Sequence, residues 1–161
     1  MNIAIIGATG NVGRKILEVL GKKGLSISNL YLVASSKSAG SKIEFKGKEI
    51  KVEDIETFDF KKADITFFAA GGKISQKFAP TAAKYSTVID NSSFFRMDSD
   101  VPLIVPQVNA HQLDIIKKNI IANPNCSTAQ LVIALKPLHD LFVIKRVVIS
   151  TYQSVSGGGK A

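Results

Sequence analysis

Short apolar runs alternate along this chain with stretches whose apolar residues recur every three or four positions. Asn2–Ile6 is a continuous apolar run ending at glycine, which predicts a strand buried on both faces. After a glycine-rich turn, Val12, Ile16, Val19 and Leu20 recur at helical spacing, and Gly21 and Gly24 close that helix. Residues 30–34 predict a second strand and the polar stretch 35–41 a loop. Ile43-Glu44-Phe45 and residues 49–52 alternate around Lys46-Gly47-Lys48, which predicts a hairpin. Residues 65–70 predict another buried strand, after which Phe78, Ala79, Ala82 and Ala83 share one helical face. Thr87–Asp90 reads as a strand, 103–105 as a short one, 110–118 as a helix and Ile120–Ala122 as a strand. Residues 129–135 predict a buried helix that Pro137 ends or kinks. Residues 143–153, rich in β-branched side chains, predict a last strand that trails into three consecutive glycines.

Strands alternating with helices predict an α/β fold with a doubly wound, mostly parallel sheet of the Rossmann type. The last strand has no obvious neighbour in sequence, and complete domains usually cover such an edge. The pattern therefore predicts that the chain stops just as another domain begins.

Composition narrows the class. The 161 residues suffice for one domain with a sizeable core, and 45% hydrophobic with 21% charged residues is ordinary globular usage. No run approaches the roughly 18 apolar residues of a membrane span. The chain enters its first apolar run directly after Met1-Asn2, so no leader is expected. A single cysteine forms no internal disulfide, which suits a reducing cytoplasm. The formal charge of +8 invites a nucleic-acid reading, but the lysines are scattered and no aromatic residues interleave with them. A solvated basic surface that helps attract a phosphorylated ligand fits better. No metal-ligand set is read from the sequence.

Two segments carry candidate chemistry. Gly7-Ala8-Thr9-Gly10-Asn11-Val12-Gly13 follows a strand and opens a helix. Gly7 permits a tight turn, Gly10 lets the backbone approach a pyrophosphate, and Gly13 allows close helix packing, as in a dinucleotide site. The second strand ends Ala34-Ser35-Ser36-Lys37-Ser38-Ala39-Gly40 without the acid that takes the ribose hydroxyls of NAD. Hydroxyls and a lysine suit a 2′-phosphate, so NADP is the expected cofactor.

The other segment is Asn123-Pro124-Asn125-Cys126-Ser127-Thr128. Thiolate is the reactive form of cysteine, and a helix start stabilises negative charge. Asn125, Ser127 and Thr128 supply donors that suit an oxyanion. A dinucleotide and a helix-start thiol together point to thioester chemistry: the thiolate adds to an aldehyde, hydride leaves to the nicotinamide, and a thioester remains.

GATGNVG, SSKSAG, DNSSFFRMDSDVPLIVPQVN, NPNCSTAQ and STYQSVSGGG, in this order and spacing, resemble the aspartate-semialdehyde dehydrogenases over the whole of residues 1–161. The resemblance implies NADPH-linked interconversion of aspartyl phosphate and aspartate semialdehyde, on the route to lysine, diaminopimelate, threonine and methionine. It implies Cys126 as the acyl-thioester nucleophile, with Asn125 helping the oxyanion. Arg96 would grip the phosphate, a role suited to a planar fork of donors, and Gln153 would orient the substrate. Thr9, Gly10, Asn11 and Val12 would cradle the pyrophosphate. Ser35 would bind the cofactor, Lys37 and Ser38 would face the 2′-phosphate, and Ser156 and Gly157 would lie by the cofactor. Family members often have arginine where this chain has Lys37, which softens the NADP preference.

The same resemblance implies a cofactor domain over 1–126 and, from 127–161, only the start of an α+β catalytic and dimerisation domain. The family's catalytic histidine and a substrate-binding arginine belong beyond Ala161. His111 and His139 read instead as capping or surface residues. The chain is thus expected to bind NADP but to turn over little alone, with a homodimer expected of the full-length family. Two other readings stay open: the related N-acetyl-glutamyl-phosphate reductase, and a non-catalytic NADP-binding remnant.

Overall fold

The computed structural model describes residues 1–152. Its strands are β1 (Asn2–Ile6), β2 (Asn29–Ala34), β3 (Lys42–Phe45), β4 (Lys48–Asp54), β5 (Ile65–Phe68), β6 (Thr87–Asp90) and β7 (Ile120–Ala122). The helices are α1 (Asn11–Lys22), α2 (Gly72–Ala82), α3 (Pro106–Asn109) and α4 (Cys126–Phe142). The strands form one sheet in the order β3-β4-β2-β1-β5-β6-β7. All pairings are parallel except the β3–β4 hairpin at one edge. This is the doubly wound Rossmann-type sheet that the alternation of patterns predicts.

Strand β1 shows why its run is apolar throughout. Ile3 and Ile5 join Leu17 and Leu20 of α1 in a core on one face of the sheet, while Ala4 and Ile6 face the core containing Phe68, Ala79 and Val88. A two-residue alternation with both faces covered leaves no polar position, and each fully buried isoleucine contributes about 1.5–3 kcal/mol. The hairpin edge is short and carries the Lys42–Glu49 pair at 2.6 Å, a charged edge that discourages pairing with other chains.

Several expectations need correction. In α1 the buried face is Gly13, Leu17 and Leu20, whereas Val12 and Val19 are exposed. Gly13 lets the helix lie against the turn, and the face rotates to meet it. Strand β5 stops at Phe68, two residues short of the predicted 65–70. The stretch 103–105 makes only an isolated Leu103–Ala122 bridge, because Pro102 and Pro106 bracket it and donate no backbone hydrogen bond. In place of a helix over 110–118 stand α3 and a 3-10 helix, Ala110–Ile115. Asn109 between them leaves helical geometry. Its Oδ1 accepts from the Val105 N–H at 2.9 Å and its Nδ2 donates to the Leu103 carbonyl at 2.9 Å, so the side chain competes with the helix.

Helix α4 runs through Pro137 to Phe142, so the proline does not end it. One N–H bond is forgone, and solvent can serve the partner carbonyl on Ile133, itself an exposed residue. Nor is α4 the buried helix that its apolar run predicts: none of its residues is buried. Residues 143–152 form no strand, and none of the described strands lies beside them to complete a ladder.

Candidate functional site

The functional segments follow the carboxyl ends of the parallel strands: the glycine turn after β1, the serine loop after β2, Asn91 after β6 and Asn123 after β7. Strand β1 sits between β2 and β5, so the chain crosses to opposite sides of the sheet here. A crevice at this point is where open α/β sheets take ligands.

Gly7 adopts φ +84°, and a side chain there would meet the Ala69 backbone at 2.8 Å. At Gly13 a Cβ would lie 2.2 Å from the Gly7 carbonyl oxygen, so α1 can approach β1 only with glycine at that position. Gly10 is different: a Cβ would sit 3.4 Å from the Gly7 oxygen, an ordinary contact. No side chain caps α1 at Gly10, so the first N–H groups of the helix present their positive end to the crevice. A cavity of 260 Å³ opens here, lined by Gly7, Thr9, Gly10, Ser35, Ile55 and Ala69 among others. Asn11 and Val12, in the first turn of α1, are exposed.

The loop after β2 is a tight turn, with the Ser38 and Ala39 N–H groups both donating to the Ser35 carbonyl at 2.8 and 3.0 Å. Lys37 is exposed and Ser38 half-buried, and neither lines the cavity that Ser35 lines. A residue that sequence reasoning passed over stands beside this loop. Asp54, at the end of β4, lies opposite Ala34 in the sheet. The Ser36 hydroxyl and then the Glu56 N–H, 3.1 Å away, hold its carboxyl below the usual carboxylate range. Only strand pairing reveals this neighbour. An acidic residue closing a strand directly after the hairpin was the available signal.

Around the cysteine the polar groups form a connected set. Arg96 donates from Nε to the Asn123 carbonyl at 2.9 Å and from Nη2 to the Asn91 carbonyl at 3.0 Å. Asn123 Nδ2 donates to Asn91 Oδ1 at 2.7 Å, and the Asn123 N–H donates to the Asp90 carbonyl at 2.8 Å. Arg96 therefore does not pair with Asp98 or Asp100, which take Lys118 and Lys117 instead. One edge of its guanidinium clamps the segment that leads to Cys126, and the other Nη group keeps its donors. Beneath this set Asp90 is fully buried and accepts from Ser75 Oγ, Ser92 N and Ser92 Oγ at 2.7, 3.0 and 2.7 Å.

Cys126 is the first residue of α4, and it is exposed. The Asn125 side chain caps the helix: its Oδ1 accepts from the Ser127 N–H at 3.0 Å, the Ser127 hydroxyl at 2.6 Å and the Cys126 thiol at 3.7 Å. With Oδ1 so occupied, the part of the Asn125 side chain that can donate to an oxyanion is Nδ2. The structure thus links Arg96 to the cysteine segment and groups Gly7, Thr9, Gly10 and Ser35 in one cavity, which Cys126 does not line. Gln153, Ser156 and Gly157 lie outside the described residues. His111 is exposed, as is His139, which stands about 20 Å along α4 from the thiol by helix rise. No described helix is long and apolar enough to cross a membrane.

Residues 2–116 match the family described as "Semialdehyde dehydrogenase, NAD binding domain". The aspartate-semialdehyde dehydrogenase of Shewanella sp. (strain DB6705) is 50% identical over 161 residues, which are 99% of this chain and 48% of that protein. Among solved structures, aspartate semialdehyde dehydrogenase II from Vibrio cholerae superposes with a TM-score of 0.91 at 48% identity, over 98% of this chain and 48% of that one. The enzyme from Candida albicans, solved with NADP, gives a TM-score of 0.72 at 30% identity, over 89% of this chain and 48% of that one. The chain spans about half the length of the curated relatives it matches. With the family's domain matched over most of the chain, and the uncapped glycine turn at the switch point of its sheet, the chain belongs to the semialdehyde dehydrogenase family.

Proposed function

We propose that this chain carries the cofactor site and the nucleophile of an NADP-dependent aspartate-semialdehyde dehydrogenase. The observation that carries the reading is the exposed Cys126 at the first turn of α4, on a segment clamped by Arg96, in a chain about half identical to relatives of that name. In the acylating direction Cys126 Sγ attacks the carbonyl carbon of aspartyl phosphate. The S–C bond forms, the C–O bond to phosphate breaks, and inorganic phosphate leaves with the electron pair. Asn125 Nδ2 and the first N–H groups of α4 face the developing oxyanion. The remaining Arg96 donors hold the phosphate as it departs. Gln153 orients the substrate near the thiol.

The glycine turn fits a dinucleotide, since its crevice side carries uncapped N–H groups and Gly10 leaves room for a close approach. Thr9, Gly10, Asn11 and Val12 hold the pyrophosphate, Ser35, Lys37 and Ser38 the adenosine ribose end, and Ser156 and Gly157 lie by the cofactor. When bound, NADP supplies the hydride chemistry that links the thioester to the aldehyde. In this reading residues 1–126 are the cofactor domain and 127–161 begin the catalytic one, so the 161-residue chain by itself binds cofactor and turns over little or nothing.

The test mixes this chain with a polypeptide covering the other half of the relatives' length. Phosphate-dependent reduction of NADP by aspartate semialdehyde is expected on mixing and not from the chain alone. Cys126→Ala should abolish it, and N-acetylglutamate semialdehyde should be a poor substrate. Activity that survives Cys126→Ala would overturn the assignment.

A further inference from the structure

The asparagines that follow β6 and β7 are joined through their side chains. Asn123 Nδ2 donates to Asn91 Oδ1 at 2.7 Å, and Asn91 Nδ2 donates in turn to the Phe68 carbonyl at the end of β5, 3.3 Å away. The Asn91 N–H reaches the same carbonyl at 3.0 Å. Turned over, the Asn91 amide would meet the Asn123 donor with a donor of its own. Ala69 and Ala70, the next residues after Phe68, wall the cavity beside the glycine turn. A row of amide groups therefore runs from that wall, across the ends of β5, β6 and β7, to the segment that leads to Cys126.

Arg96 is fastened to the same two residues, by Nε to the Asn123 carbonyl and by Nη2 to the Asn91 carbonyl. A guanidinium is a rigid planar fork, so it takes both carbonyls only when their separation matches its own. The β6–β7 register ends with Asp90 opposite Ala122, and one residue further on the side-chain amide pair holds the two carbonyls at that separation. Pro124 comes next, buried and fixed in φ, so the direction in which the chain leaves for Asn125 and Cys126 follows from how Asn123 is held.

We propose that Asn91 is a positioning residue for the thioester chemistry: through its amide pair with Asn123 it sets the Arg96 fork and the Cys126 segment in register with the dinucleotide cavity. This rests on the reading of Cys126 as nucleophile and Arg96 as phosphate grip, and adds to it the residue that holds the two together. Asn91 acts through Arg96 and Asn123 and needs no contact with substrate.

Cys126 is the single cysteine of the chain, so alkylation reports on it alone. The experiment measures alkylation rates of the full chain with iodoacetate, an anion, and with iodoacetamide, which is neutral. Their ratio reads the positive charge held near the sulfur, whereas a change in thiol exposure moves both rates together. Arg96→Ala should lower the ratio by roughly three- to fivefold, the effect of one charge a few ångströms away in water. Asn91→Ala and Asn123→Ala should each lower it by roughly two- to fivefold. The double variant should fall no further than the larger single, because the two side chains act as one unit. Asn123→Ala leaves Asn91 on the Phe68 carbonyl, so it isolates the pair and decides the matter even if Asn91→Ala does not fold. Asn119→Ala is the control: it removes bonds to Ala83, Ser86 and Thr87 at the other end of the same strands, and it should leave the ratio alone. An equal fall in Asn119→Ala would mean general loosening and overturn the proposal. If Arg96→Ala lowers the ratio and neither Asn91→Ala nor Asn123→Ala does, the positioning role is overturned while the phosphate grip stands. An unchanged ratio in Arg96→Ala overturns the grip, and the positioning role with it.

Discussion

Helix α1 begins at Gly10, which has no side chain to cap it, and α4 begins at Asn125, whose Oδ1 receives the Ser127 N–H, the Ser127 hydroxyl and the Cys126 thiol. The first helix drives Gly13, Leu17 and Leu20 into the core, whereas no residue of the second is buried. Both start at the carboxyl edge of the same sheet. The first leaves its N–H groups for a ligand because packing along its whole length secures it. The second has one N–H of its first turn taken by its own cap, since none of its residues is buried and a cap is what keeps that turn in place. A bare helix end is therefore a sign of a binding site only when the body of the helix is anchored.

The largest effect should come from packing a side chain where the first helix meets its turn. Gly13→Val would place Cβ 2.2 Å from the Gly7 oxygen. We expect a loss of at least about 3 kcal/mol in urea unfolding, and no dinucleotide binding. Gly10→Ala makes only a 3.4 Å contact. It should unfold within about 1 kcal/mol of the parent and still bind the dinucleotide roughly tenfold more weakly. Equal losses of stability in the two variants would break the distinction between a packing glycine and an approach glycine.

A smaller effect should follow at the second helix. Removing its cap with Asn125→Ala should cost about 1 kcal/mol and reduce helical ellipticity, while the same change at exposed Asn11 should cost little. At the other end of α4, Val143 holds φ 54°, an unfavourable state for a β-branched residue. Val143→Gly should stabilise that end by roughly 0.5–1 kcal/mol, read from amide exchange in the last turn. An unchanged exchange rate would mean that the left-handed turn carries no strain.

The smallest effect concerns acid. Glu18 is pushed down to about 2, first by its hydrogen bond from Lys15 and then by that from Lys22. Asp98 is lowered by Lys118, and Asp54 by Ser36. Folded values below the unfolded ones contribute stability that is present above the ordinary carboxylate range and is lost as pH falls through the folded values. All three groups are solvated, so midpoints should drop only modestly below about pH 4, and less in high salt. Because Lys15, Glu18 and Lys22 all lie on α1, Glu18→Gln should blunt the acid response of that helix and leave α4 unmoved.

The body of the sheet was legible because its signals are local. A glycine after an apolar run, hydrophobic residues at a period of two or near four, and a Lys-Gly-Lys turn each state their geometry within a few residues. The glycine turn was legible for the same reason. What misled were segments whose fate depends on neighbours. The apolar stretch 129–135 predicts burial and residues 143–153 predict a strand, but no residue of 129–135 is buried and the described residues 143–152 form no strand. Arg96 reads as a grip for a phosphate, and what the sequence did not show is that the fold gives one of its edges to two carbonyls that lie far apart in sequence.

By itself the sequence determined the layered α/β arrangement, the site of the glycine turn and the placement of the lone thiol at a helix start, since each follows from spacing along one stretch of chain. Only the tertiary structure decided which strand stands beside which. Pairing β2 with β4 places Asp54 opposite Ala34, where the serine loop starts, and pairing β6 with β7 lets Arg96 reach Asn91 and Asn123 together. The physical reason is range. Backbone propensity and amphipathic period act over a few residues, whereas the partner of a charged or hydroxyl group is set by sheet register, which joins residues that no local pattern connects.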